Sequence, residues 1–176
     1  LIPVTYLLID NSNTRTKFVL SSPEALLPER YMIPTGEVSG ERLDEVLAAY
    51  PVGEVIDSGR TSDTKTYADY WAAVQAEGCT LSYDEDRILP LSDNTVLSLL
   101  ETGDAWGDSN ACSVVAQLTC GNVQVLFTGD MTAQVEAAAL PLFGDIDVLK
   151  VAHHGSASST SQAFLDVVRP ECAVIS

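Results

Sequence analysis

The sequence predicts an α/β fold, and three observations predict it. Short apolar runs of strand character alternate with stretches of helical periodicity. Glycines and prolines punctuate the joints between them. The composition, 46% hydrophobic and 19% charged over 176 residues, is that of a globular chain long enough to bury a sizeable core. No apolar run reaches the length of a membrane span, and no basic segment leads into an apolar leader. The chain opens on Leu1 and closes on Ser176 directly after an apolar stretch, the look of a piece of something longer.

Tyr6 to Ile9 and Lys17 to Leu20 are apolar runs around a polar turn and predict a hairpin. Residues 21–39 hold three prolines and few periodic apolar positions, which predicts mostly loop. Glu41 to Ala49 is predicted helical, with Leu43, Val46 and Leu47 on one face, ended by Pro51 and Gly53. A strand over Glu54 to Asp57 follows, then an amphipathic helix over Thr66 to Glu77 stopped by Gly78. Strands are predicted over Cys79 to Tyr83, Ile88 to Leu91 and Val96 to Leu100, and a polar loop over Glu101 to Asn110. Ser113 to Thr119 and Val123 to Phe127 flank Cys120-Gly121-Asn122, a short hairpin turn. Ala133 to Leu140 is helical, Val148 to Ala152 a buried strand, Ser161 to Val168 a helix and Cys172 to Ile175 the last strand. The expected division is an N-terminal hairpin and loop segment, residues 1–50, followed by a domain over residues 51–176.

The formal net charge is −16. Such a surface repels phosphate backbones and argues against autonomous nucleic-acid binding. It leaves open a phosphodiester or small-molecule substrate, because a bound divalent cation inverts the local field. Cys79, Cys112, Cys120 and Cys172 form no C-x-x-C pair, so a structural zinc knuckle is not expected. Cys79 and Cys172 lie in apolar stretches and are expected to be buried. A Cys112–Cys120 disulfide has only proximity to a shared strand in its favour.

Chemistry gathers in the last third. Leu126 to Asp130, L-F-T-G-D, places a carboxylate just past a strand end, on a rigid support facing a loop layer. Taken alone, Asp130 reads more readily as the N-cap of the helix that follows than as a ligand or base. Asp147 to Ser156, D-V-L-K-V-A-H-H-G-S, is a buried strand delivering His153 and His154, the only two histidines of the chain. Adjacent side chains on an extended strand point to opposite sides, so at most one of the pair is expected to face a given site. Histidine is the commonest metal ligand and a ready acid or base. The loop Trp106 to Ser113 offers Asp108 and Asn110 as oxygen donors, or as plain turn residues.

In these motifs and their order, residues 52–176 resemble a metallo-β-lactamase-fold domain of the competence DNA-uptake (ComEC) type. The matching stretches are D-S-N-A-C-S-V-V, V-L-F-T-G-D-M with Glu136 following, D-V-L-K-V-A-H-H-G-S-A-S-S-T-S, F-L-D-V-V-R-P and A-V-I-S. The resemblance implies an αββα sandwich, incomplete in its N-terminal half, with a metal site at one edge of two sheets. It implies that Asp130 bridges two divalent ions, Zn or Mn, and that His154 binds the second, with His153 ranked behind it. Asp130 and His154 would be the catalytic pair; Asp108, Asn110, Lys150 and Ser156 would border the substrate. The implied activity is metal-dependent hydrolysis of a phosphodiester, nuclease-like. The family's His-x-His-x-Asp-His motif is absent, since no histidine precedes His153. Loss or replacement of the first half is the favoured explanation, beside a degenerate non-catalytic domain and donation of ligands by another chain. Activity is therefore expected to be impaired.

The first residues carry a second resemblance. Tyr6 to Phe18, Y-L-L-I-D-N-S-N-T-R-T-K-F, is similar to the opening hairpin of type III pantothenate kinases. It implies phosphate binding by Asp10, Asn13, Thr14 and Lys17; Ser12 stands where that family usually has glycine. An ATP-binding fragment is thus the alternative function. Substrate, oligomeric state and compartment, cytoplasmic or extracellular, stay open.

Overall fold

The computed structural model describes residues 6–11, 15–21, 26–34, 52–83, 85–100 and 110–175. The chain forms two units, Leu1–Ile56 with Thr61–Leu81, and Asp57–Arg60 with Ser82–Ser176.

In the first unit, β1 (Tyr6–Asn11) and β2 (Arg15–Ser21) form the predicted antiparallel hairpin, with Asp10 opposite Lys17. The stretch expected to be loop contains a strand, β3 (Leu26–Pro34), paired to β2. Proline lacks the ladder N–H, which is why the sequence argued against a strand here. β3 is tolerated because it is an edge strand in the order β1-β2-β3. Its register with β2 also shifts between Val19 and Ser21: Arg30 pairs Val19 and Leu26 pairs Ser21, so Pro28 falls within the irregular stretch. The helix expected over Glu41 to Ala49 lies outside the described residues.

A β-α-β element follows: β4 (Glu54–Ile56), α1 (Lys65–Glu77) and β5 (Thr80–Ser82). Both helix ends are written in the sequence. The Thr64 hydroxyl accepts from the Tyr67 N–H, and Gly78 closes the helix at φ 71°, a left-handed conformation that costs glycine little. The buried face is Ala73 and Val74. β4 pairs with β5, Thr80 N–H donating to the Gly53 carbonyl and Asp57 N–H to that of Ser82. Partners advance in the same direction on both strands, so the pair is parallel.

The second unit is built on a six-stranded mixed sheet, order β11-β10-β9-β8-β7-β6. Its members are β6 (Arg87–Ser92), β7 (Thr95–Leu100), β8 (Val115–Cys120), β9 (Val123–Phe127), β10 (Val148–Lys150) and β11 (Cys172–Val174). β6 to β9 form an antiparallel meander, and β9, β10 and β11 run parallel. Parallel neighbours need crossovers, supplied by α2 (Ala133–Ala139) and α3 (Gln162–Val168). Pro90 again lies on an edge strand, β6, whose residues alternate between half-buried and exposed.

The core collects Leu126 of β9, Leu149 of β10, Val135 of α2, Phe164 and Val168 of α3, with Ala111, Val115, Met131 and Ile146. Phe143 meets Phe164 edge to face at 5.4 Å. Cys172, expected to be buried, is exposed on the edge strand, and Cys79 is only half-buried; all four cysteines are free thiols, so no Cys112–Cys120 disulfide forms. Among the described residues no helix is long and apolar enough to cross a membrane.

Candidate active site

The register of two parallel neighbours creates the site. Leu126 pairs with Leu149 and Phe127 with Lys150, so β9 and β10 end side by side. Asp130 follows β9 by three residues and His154 follows β10 by four. The carboxyl ends of parallel strands are where open α/β sheets present their reactive groups. His154 Nε2 and Asp130 Oδ1 lie 3.6 Å apart, with side chains 29% and 25% exposed. That separation is longer than a direct hydrogen bond. The His154 Nε2 atom itself is buried although its ring is part-exposed, and a carboxylate and an imidazole at this distance can share a proton or a cation.

Each arm is held from behind. The buried Thr128 hydroxyl donates to the Lys150 carbonyl at 2.8 Å, tying the end of β9 to β10. The Asp130 N–H donates to the Ser113 hydroxyl at 3.1 Å, which itself donates to the Asn110 carbonyl at 2.9 Å. Gly129 has φ +56°, and a Cβ there would come within 2.9 Å of the Ser113 Cβ. Only glycine fits that close approach. The His153 N–H donates to the Gly129 carbonyl, joining the two arms through backbone.

Two sequence expectations change. Asp130 is not the cap of α2; Thr132 holds that position, without a side-chain cap bond, and the helix begins at Ala133. β10 stops at Lys150, so the strand argument for the histidine pair does not apply. His153 and His154 instead have φ 47° and 55°, consecutive left-handed residues in a tight turn. Such conformations cost a non-glycine residue of order 1–3 kcal/mol and gather at functional sites. The rings are 6.4 Å apart and inclined by 70°. His153 Nδ1 is buried without a hydrogen-bond partner among the described residues.

Of the remaining expected site residues, Asn110 contributes its carbonyl to the Ser113 relay. Lys150 contributes a carbonyl to Thr128. The Ser156 hydroxyl contacts that of Ser158 at 2.9 Å. Asp108 lies outside the described residues, as do Asn13 and Thr14; Asp10 and Lys17 are backbone partners in the β1–β2 ladder. Sequence reasoning missed Ser113, which it placed inside a strand; the S-V-V after D-S-N-A-C was the available signal. Among the described residues no three of His, Cys, Asp and Glu cluster in a way that could hold a metal ion.

Comparison with known proteins identifies the family. The profile of the Metallo-beta-lactamase superfamily matches residues 46–176. The chain is 34% identical over 131 residues to Recombination protein 2 of Haemophilus influenzae, covering 74% of this chain and 15% of that protein. It is 38% identical over 69 residues to ComE operon protein 3 of Bacillus subtilis, covering 38% of this chain and 9% of that one. A separate N-terminal match, 93% identical over 45 residues, is to a type III pantothenate kinase of Akkermansia muciniphila, covering 26% of this chain and 19% of the kinase. The chain thus spans less than a fifth of the length of each of these relatives. With the match running from residue 46 to residue 176, about three quarters of its length, the chain belongs to the metallo-β-lactamase superfamily.

Proposed function

We propose that this chain carries one arm of a phosphodiester-hydrolase site and that, by itself, it does not turn substrate over. The observation that supports the reading is the convergence of Asp130 and His154 at 3.6 Å on adjacent strand ends. The superfamily implies a divalent metal, and the donors at hand do not fit one. Zinc is held by three or four protein ligands in tetrahedral geometry. Here one carboxylate and one imidazole meet, His153 is the only other histidine of the chain, and no third donor joins them among the described residues. No hydrolytic step is therefore assigned to a metal in this chain. Asp130 and His154 are proposed as the reactive pair. Asn110, Lys150 and Ser156 support the loops around it, and a small phosphodiester with a single negative charge suits the −16 surface better than a polyanionic nucleic acid.

The test is metal analysis of the purified chain, zinc and manganese titration followed by melting, and assay on a chromogenic phosphodiester. The expected result is no stoichiometric metal, no rise in melting temperature and no turnover. Binding of a ligand to the folded state would raise the melting point. Hydrolysis that disappears in Asp130→Ala would overturn the reading and make this a complete enzyme.

The 93% match over 45 residues favours a second reading for the N-terminal segment, descent from a kinase hairpin in which Asp10 and Lys17 would serve ATP phosphates. Calorimetric titration with ATP and Mg²⁺ decides it: saturable binding lost in Asp10→Asn supports a working phosphate site, and absence of heat removes it.

A further inference from the structure

We infer that Glu136 is a positioning residue whose buried carboxylate clamps the turn carrying His153 and His154 onto the loop carrying Asp130. The inference rests on reading the Asp130–His154 pair as the reactive site.

Glu136 lies one turn into α2, the helix that starts three residues beyond Asp130, and its side chain is fully buried. Oε1 accepts from the Thr160 N–H at 2.5 Å and Oε2 from the Ser161 N–H at 2.9 Å. Thr160 is held at φ +56°, and its hydroxyl accepts from the N–H of Ala152, the residue before His153. The His153 N–H donates to the carbonyl of Gly129, the residue before Asp130. A further bond, Ala133 N–H to the Ser158 carbonyl at 3.0 Å, runs alongside. Glu136, Thr160, Ala152–His153, Gly129–Asp130 and the first turn of α2 therefore close a ring. Opening any link lets the histidine turn move relative to Asp130.

A plainer role is available: Ser161 caps α3, and a carboxylate near a helix N-terminus is favourable. Capping accounts for the Ser161 bond. It leaves unexplained why the second oxygen reaches Thr160, a left-handed residue outside the helix whose hydroxyl turns back to Ala152. Burying a carboxylate among apolar residues is costly, and core stability alone is better served by an apolar side chain.

The chain has two histidines, so their ring signals in NMR report the turn directly, without metal or substrate. In Glu136→Gln one amide hydrogen is forced against a backbone N–H. Both histidine ring signals are expected to shift or broaden, and exchange of the Ala152 and His153 amides to speed up by about tenfold or more, the worth of one charge-assisted hydrogen bond. Val135→Ala is the control: it removes a buried neighbour on the same helix and lowers melting, while leaving those signals in place. If Glu136→Gln leaves the signals and exchange rates as Val135→Ala does, Glu136 only caps α3 and the inference is overturned. If Glu136→Gln does not fold, Thr160→Val decides. It keeps both backbone bonds to Glu136 and removes the acceptor for Ala152; moved histidine signals support the ring, and unmoved ones overturn it. Because no turnover is measured, a failed hydrolysis assay and a failed clamp are separate results.

Discussion

Gly129 shows how one residue without a side chain can decide a site. Its left-handed φ and the 2.9 Å approach to the Ser113 Cβ leave no room for a methyl group. Gly129→Ala is therefore expected to destabilise the fold by about 2 kcal/mol or more, read as a lower urea midpoint at unchanged slope. Gly144 has nothing within 4 Å of a built Cβ, and Gly144→Ala is expected to stay within about 0.5 kcal/mol of the parent. Equal losses in the two variants would refute the crowding argument. Asp130 and the histidine pair were legible in the sequence because each follows a short apolar strand and adjoins a glycine. Ser113 was not, since its role depends on register. Ala116 pairs with Phe127 in the β8–β9 ladder, so continuing both chains three residues outward places Ser113 beside Asp130.

Among the helices and strands, those with local signals were read correctly. α1 runs from a threonine cap to a glycine stop, and α3 begins after Ser161, whose hydroxyl accepts from the Phe164 N–H. β3 has no local signal of this kind, because its prolines argue against a strand unless the strand lies at an edge, and only the sheet order places it there. β10 was read too long, because apolar character continues through Val151 and Ala152 after the backbone has left the sheet. α2 and α3 are seven residues each and too short to be stable alone. Their stability comes from the core they share with β9 and β10, and Phe164 is its largest fully buried side chain. Phe164→Ala is expected to cost about 3–5 kcal/mol by loss of burial and opening of a cavity. Denaturant unfolding followed by circular dichroism measures it, and a loss under 1 kcal/mol would mean that the core collapses around the gap.

For the molecule entire, charge and ancestry dominate. A net charge of −16 on 176 residues makes self-repulsion a standing cost of compactness. The Debye length shortens from about 30 Å at 0.01 M salt to about 8 Å at 0.15 M. Melting temperature is therefore expected to rise over that range, and a fall would show that favourable ion pairs outweigh the repulsion. The kinase-like match covers 45 residues, and the superfamily match begins at residue 46. No histidine precedes His153 in the sequence, so the histidine cluster of the superfamily has no counterpart upstream of the Asp130–His154 pair.

The sequence by itself determined the α/β class, the superfamily, most element positions and the absence of a histidine-rich motif. Those follow from apolar periodicity, turn chemistry and residue identity, all of which are local. The tertiary structure decided that Asp130 and His154 meet, that Asp130 is not a helix cap, that the histidines occupy a left-handed turn, and that Ser113 and Glu136 stand behind them. Each of these depends on which strands are neighbours and in what register, and a register is set by packing across the whole sheet.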